Sequence, residues 1–360
     1  MSGSNNSWTF DLDQIEADLE RHGRATTQFN NPIGDTLSIV QVGGSSDPDD
    51  WPQISSAEYL ARLNAMCRIW GEKLEVRFYG HHSDAFDGRT LLRIPEVRSL
   101  SVDSIFEANN LEAIGELQHL TQLHLGIFEL ADKAILAKLP LDRLTHLTLS
   151  PTQTKALDLS RLESATALKK LYLDGHYKNI ATLAALDGLE EFTFNPKKSL
   201  DLGFINGMAS LLSLKLVLGG TESIAEIALD GLQDLACTQV LGLADLGDMQ
   251  RFGALQRLLV QDQKQLAGVQ FGSGNRQLEH VWFYNCPALT KIAGLADCAK
   301  LQSLRWLFTD SDPAALDLPK SLTHLHMLPE KRAAQAGQTS VIEGMGYIAD
   351  DHPNAEFFYK

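Results

Sequence analysis

An α/β solenoid is the fold class this sequence predicts: a parallel concave β-sheet of stacked coils, short helical or 3-10 segments on the convex side, and a cap at each end. Three observations carry that expectation. Of the 58 leucines among 360 residues, 49 follow Leu100, so the bias belongs to one long stretch and not to the whole chain. Within it an apolar residue, two variable ones, a second apolar, one variable and a third apolar recur: Leu120/Leu123/Leu125, Leu144/Leu147/Leu149, Leu168/Leu171/Leu173, Leu189/Phe192/Phe194 and Leu211/Leu214/Leu216. The series continues through Thr238/Leu241/Leu243, Leu255/Leu258/Val260, Leu278/Val281/Phe283, Leu301/Leu304/Trp306 and Leu322/Leu325/Met327, and reaches back to Val97/Leu100/Val102 and Val76/Phe78. The ten steps from Leu100 to Leu325 cover 225 residues, 22.5 each, a period proper to a stacked repeat.

The alternation at the second and third apolar positions is the period of a strand with one buried face. After Cys286 the spacing changes to three, through Leu289, Ile292, Leu295 and Cys298, which is the length of a single helical or 3-10 turn. On these residues the chain resembles the leucine-rich-repeat superfamily over roughly Leu74 to Leu328, about 70% of its length. The three-residue spacing is similar to the short-period bacterial repeats of the internalin type. The resemblance implies a horseshoe of about a dozen coils, each burying its apolar edge against its neighbours. Two departures from the pattern stand out. The position usually held by Asn or Cys carries Phe128, Thr152, His176, Lys197, Gly219, Leu246, Gln263, Thr309 and Glu330, with only Cys286 fitting, so the side-chain ladder inside the loops is expected to be largely absent. The step from Leu214 to Leu241 is 27 residues and the next, to Leu258, is 17, which predicts an irregular ladder at 238–260.

Residues 1–72 read as an N-terminal cap, 73–328 as the repeats and 329–360 as a C-terminal cap. In the first, Leu12, Ile15 and Leu19 mark a short helix stopping near Gly23, and Ser55 to Gly71 reads as an amphipathic helix. Ser55 with Glu58 forms its capping box, and Tyr59, Leu60, Leu63, Met66, Cys67 and Trp70 form its stripe. With strands at Leu37–Val42 and Leu74–Tyr79 this predicts a right-handed βαβ unit over the first coil. In the last, a helix at Val341–Ala349 and a strand at Ala355–Tyr359 close the ladder edge.

Composition narrows the function. Forty-six acids against 31 Lys and Arg give a net charge of −15, which repels phosphate backbones and favours a basic partner. Residues 1–60 alone hold ten acids against Arg21 and Arg24. No apolar run approaches the ~20 residues that span a bilayer, and no signal-peptide pattern opens the chain, so a cytoplasmic protein is expected, with export by another secretion route left open. Cys67, Cys237, Cys286 and Cys298 contain no Cys-x-x-Cys pair and read as reduced core residues.

No phosphate loop, dinucleotide fingerprint, nucleophile elbow or zinc-protease motif is present, and no cofactor or metal is implied. His280, His324 and His326 face one surface, but strands two apart lie about 9 to 10 Å from each other, too far for shared zinc ligation. His81, His82 and Asp84 read as a solvated loop. The face that can act is the outward side of the strands, where residues flanking the buried positions line up in columns. There His280, Trp282, Tyr284, Arg257, Arg305, Leu307 and His326 form one cluster, rich in the residue types that anchor interfaces. His146, Lys170, Tyr172, Asp174 and Lys215 form a second. The packing alternative is that Arg305 merely stacks on Trp282. The expected function is therefore non-enzymatic protein binding on the concave face, of the neutralising, effector or scaffold kind in a bacterium. The alternatives are an enzyme with its site in 219–247 or 80–90, and a self-associating structural protein.

Overall fold

The computed structural model describes residues 12–30, 57–80, 85–307 and 316–328. They fall into two compact units, within Met1–Thr182 and Leu183–Lys360.

The first unit opens with α1 (Leu12–His22), whose Leu12, Ile15 and Leu19 are buried, and which ends where Gly23 takes φ +76° and its N–H reaches Leu19 O at 2.9 Å. Glycine adopts that left-handed conformation without a Cβ penalty, hence the stop. Strand β1 (Ala25–Asn30) and helix α2 (Ala57–Trp70) follow, then β2 (Leu74–Gly80). The helix buries Leu60, Leu63, Met66 and Cys67 of the stripe read from the sequence, while Tyr59 and Trp70 at its two ends are half-buried. β1 and β2 are parallel, Ala25 opposite Leu74 and Thr27 opposite Val76. Strand β1, helix α2 and strand β2 thus follow one another with the two strands parallel; the strand expected at Leu37–Val42 lies outside the described residues, together with Ser55. The Ala-Thr-Thr-Gln-Phe-Asn segment carries only the weak apolar alternation of an edge strand, so β-branched Thr26 and Thr27 were its one signal.

The coils of this unit then supply β3 (Phe86–Asp87), β4 (Ser99–Ile105), β5 (Ala108–Asn109), β6 (Gln122–Ile127), β7 (His146–Leu149) and β8 (Lys170–Asp174). The main sheet runs β1-β2-β4-β6-β7-β8, every pair parallel, while β3 and β5 form a small second ladder. The second unit contributes β9 (Glu191–Asn195), β10 (Ser213–Val217), β11 (Asp234–Thr238), β12 (Arg257–Gln261), β13 (Gly268–Gln270), β14 (His280–Tyr284), β15 (Lys291–Ala293), β16 (Ser303–Leu307) and β17 (His324–Leu328). Its main sheet is β9-β10-β11-β12-β14-β16-β17, again parallel, with β13 paired to β15 on the return side. Returns are 3-10 turns such as Leu111–Glu116, Leu159–Ser164 and Met249–Arg251. Parallel strands joined by short 3-10 returns at one coil per repeat are the leucine-rich-repeat architecture. The second and third apolar positions of each repeat are buried throughout, from Leu123/Leu125 to Leu304/Trp306, because a one-residue slip would turn both to solvent.

One register differs from the sequence reading. The rung between Leu214 and Leu258 is not Leu241/Leu243 but Leu235/Cys237, with Leu214, Leu235 and Leu258 side by side and Leu216, Cys237 and Val260 beside them. The steps become 21 and 23 residues, so the ladder at 238–260 is regular. Leu241 is 78% exposed. The apolar run Val240-Leu241-Gly242-Leu243 offered a competing match, and a cysteine at the third position hid the true one.

The loop ladder is also fuller than expected. His176 is buried, accepts from Leu157 N at Nδ1 (3.2 Å) and bonds Ser150 O through Nε2 (2.9 Å). Gln263 donates to Cys237 O at 3.2 Å and to Gln261 O at 2.7 Å. Asn275 donates to Met249 O at 2.7 Å, and the Cys286 and Cys298 thiols face Val260 O and Gly272 O one coil back. Histidine and glutamine therefore do what asparagine does elsewhere: they satisfy buried carbonyls that the loop would otherwise orphan.

Candidate binding face

Alternation along each strand sends one set of side chains inward and leaves three outward columns. In the second unit the outer columns are Asp234–Arg257–His280–Ser303–His324, Ala236–Leu259–Trp282–Arg305 and Thr238–Gln261–Tyr284–Leu307, each fixed by the strand register. His326 lies opposite Arg305 on β17. The sequence-selected residues Arg257, His280, Trp282, Tyr284 and Arg305 are thus brought together on adjacent strands.

Their exposure departs from expectation. Trp282 is 8% and Arg305 6% exposed, and Ala236, Leu259 and Trp282 form a buried apolar cluster. The Arg305 guanidinium lies 4.4 Å from the Trp282 ring centroid, the cation–π stack of the packing alternative. Neither residue is the exposed anchor foreseen. Arg257 is held by Asp234 of the next strand, Nη2 to Oδ2 at 2.7 Å and Nε on Oδ1. Hydrogen bonding to Asp234 raises the Arg257 pKa, and burial only partly opposes it. Asp234 escaped notice in the sequence because the shifted register put Val240 in its column. Accessible side chains around the Trp282–Arg305 floor are the half-buried His280, Tyr284, Gln261, Leu307 and the flank of Arg257.

In the first unit β8 carries Lys170, exposed, with Tyr172 and Asp174 half-buried. Burial, then the Asp174 charge, raises the Tyr172 phenol pKa. His146 is on neighbouring β7. Lys215 belongs to the second unit, on β10.

A chain of hydrogen bonds that the sequence did not flag crosses β2 to β7. Arg77 makes a two-pronged contact with Asp103 (2.7 and 2.6 Å), and Ser101 Oγ donates to Asp103 Oδ1 at 2.7 Å. His124 Nδ1 lies 3.1 Å from Ser101 Oγ, and its Nε2 lies 2.8 Å from Ser150 Oγ. Because the Ser101 proton is used on Asp103, His124 must donate at Nδ1 and accept from Ser150 at Nε2. Burial depresses the His124 pKa, keeping the ring neutral, although Asp103 pulls the other way. A Cβ at Gly126 would sit 3.0 Å from Asp103 Cβ and 3.2 Å from Ser150 Cβ, so glycine makes the space. In donor order the chain is like a hydrolase relay, but a serine separates imidazole from carboxylate and Arg77 already matches the carboxylate charge. It acts as a polar brace on the outward face.

All four thiols are buried, and burial pushes Cys67 and Cys237 up to about 12 and Cys286 and Cys298 up to about 11. Burial thus favours the protonated thiol over the reactive thiolate at all four. Among the described residues no three His, Cys, Asp or Glu converge as a metal site, and no helix is long and apolar enough to cross a membrane. The Gly219–Gly247 segment holds the regular rung β11. His81, His82, Asp84 and the C-terminal segment 329–360 lie outside the described residues.

No protein-family model and no curated protein sequence matches the chain. Among solved structures it is similar to an internalin (inlF) from Listeria monocytogenes, at 20% identity and TM-score 0.44 over 67% of this chain and 76% of that one. It is similar to a chain of the mouse RP105/MD-1 complex at 13% identity and TM-score 0.48, over 72% and 51%. An LRR protein of Leptospira interrogans aligns at 15% identity and TM-score 0.39, over 78% and 91%.

Proposed function

We propose that the protein is a non-enzymatic binding protein that holds a basic protein partner on the outward face of its strands. In the second unit the contact is made by His280, Tyr284 and Arg257 around the Trp282–Arg305 floor, with His326 continuing that face; in the first, by Lys170, Tyr172 and Asp174. The observation that carries the reading is the preorganised face of β11 to β16: an apolar centre locked by a cation–π stack, flanked by an ion-paired arginine and half-buried polar and aromatic side chains. That is interface anatomy, an apolar middle with a polar rim. Side chains already fixed lose little entropy on docking. Residues 1–72 and 329–360 act as caps on the repeats of 73–328. The net charge of −15 selects a basic partner over a nucleic acid and speeds its approach. Four unpaired buried thiols suit the reducing cytoplasm. Such a surface would suit a neutralising protein, an effector or a scaffold alike.

The test is affinity capture by the full chain and by the His280→Ala/Tyr284→Ala variant, with bound proteins identified by mass spectrometry. A basic protein held by the wild type, lost by the variant at unchanged melting temperature, and weakened between about 0.05 M and about 0.3 M salt supports the proposal. Equal capture by both forms moves the contact off this face.

A further inference from the structure

In the coils that carry His176, Gln263 and Cys286, the position usually held by Asn or Cys serves a backbone carbonyl one coil back. Phe128 holds that position in the first unit, where an apolar ring can do no such service, and it is 38% exposed. Phe106, one coil earlier, is 44% exposed. The two coils run in step here: Phe128 N–H bonds Ile105 O at 2.8 Å and Glu129 N–H bonds Phe106 O at 2.7 Å. Phe106 therefore lies beside Phe128 and Glu107 beside Glu129, at about the 4.8 Å spacing of neighbouring strands. All four residues are exposed. The next coil meets Phe128 O with the Thr152 hydroxyl (2.7 Å) and Gln153 N–H (2.8 Å), so the aromatic row stops at two.

The fold itself calls for neither pair. Adjacent exposed rings leave apolar surface in water, and like charges side by side repel. The cations nearest in sequence are engaged elsewhere: Lys133 donates to Leu130 O and Thr154 Oγ1, and Lys138 pairs with Asp132 at 2.9 Å. Among the described residues neither Glu107 nor Glu129 forms an ion pair. One kind of group relieves both costs, a side chain with an apolar stem and a cationic head. Lysine or arginine can lay its methylenes along the rings while its charge meets the carboxylates. A carboxylate would be repelled, and an aliphatic side chain would leave the two glutamates as they were.

We propose that Phe106 and Phe128, with Glu107 and Glu129, form a further docking point for the basic protein partner, one that receives a lysine- or arginine-bearing segment where the β4 and β6 coils enter their loops. The rings carry the contact and the carboxylates set its sign. The inference rests on the basic-partner reading, and it uses none of the outward-face residues assigned to that partner.

Fluorescence anisotropy of a labelled peptide of alternating lysine and alanine, titrated with the full chain at about 0.1 M salt, tests it. The wild type should bind this peptide at least about fivefold more tightly than one with diaminopropionate for lysine, which keeps the charge and loses the stem. Phe106→Ser/Phe128→Ser should weaken the lysine peptide about tenfold. Glu107→Gln/Glu129→Gln should weaken it by a similar factor with a melting temperature equal to or above wild type, since a repulsion is removed; this variant decides the matter if the serine variant does not fold. His280→Ala/Tyr284→Ala should leave peptide binding unchanged. No binding by the wild type overturns the proposal, as does equal binding of the two peptides, or a loss caused by His280→Ala/Tyr284→Ala in place of the phenylalanine variant. A basic protein whose capture needs His280 and Tyr284 but not Phe106 and Phe128 upholds the partner and overturns this contact.

Discussion

The register of β11 predicts opposite outcomes for two leucines six residues apart. Leu235 is fully buried, with the equally buried Leu214 and Leu258 on the strands to either side. Leu235→Ala removes three carbons, about 2.4 kcal/mol at ~0.8 kcal/mol each. A void between two hydrogen-bonded strands cannot collapse, and the cavity adds about 1–2 kcal/mol, within the ~2–5 kcal/mol range of such changes. Leu241 is 78% exposed, so Leu241→Ala should stay within about 0.5 kcal/mol of wild type. Guanidinium unfolding followed by far-ultraviolet circular dichroism reads both midpoints. If Leu241→Ala destabilises as much as Leu235→Ala, the Leu235/Cys237 rung is wrong and the 27- and 17-residue spacing stands.

Two further outcomes follow from the outward face. Trp282→Ala should cost stability as well as binding, by about 3 kcal/mol or more, because it opens the floor under Arg305 and exposes Leu259; an unchanged unfolding midpoint would return Trp282 to the surface. Acid should loosen the first unit through the β2–β7 brace. Burial alone would raise the Asp103 pKa, yet hydrogen bonds from Arg77 and Ser101 hold it below the ordinary value; its stabilisation is present above the unfolded carboxylate pKa and lost as pH falls through the folded one. His124, depressed by burial, binds its proton more readily unfolded, so folded stability also declines once pH drops below about 6.5. Asp103→Asn should flatten the acid limb of a stability–pH profile while His124→Gln should flatten the limb below neutrality, and an unaltered profile in both would show that the brace does not govern acid unfolding.

The sequence by itself determined the repeat, its parallel strands and the buried positions from Leu100 to Leu216 and from Leu255 to Leu325, because a period-2 apolar pattern recurring about every 22.5 residues has one low-energy solution: stack and bury. It also determined which residue types line the outward columns wherever the register was unambiguous, as with His280, Trp282 and Tyr284. Tertiary structure alone decided the rest. Whether Leu235 or Leu241 takes the rung depends on what Leu214 and Leu258 accept beside it, a cross-strand fact invisible along one chain. That β1 pairs with β2 depends on an edge strand with little apolar signal of its own. The burial of Trp282 and Arg305 arises from their stacking across β14 and β16, and the Arg77–Asp103–Ser101–His124–Ser150 brace from residues up to 73 apart in sequence. Periodicity states which face a side chain takes; only its neighbours in space determine whether that face is open, occupied or already bound to something else.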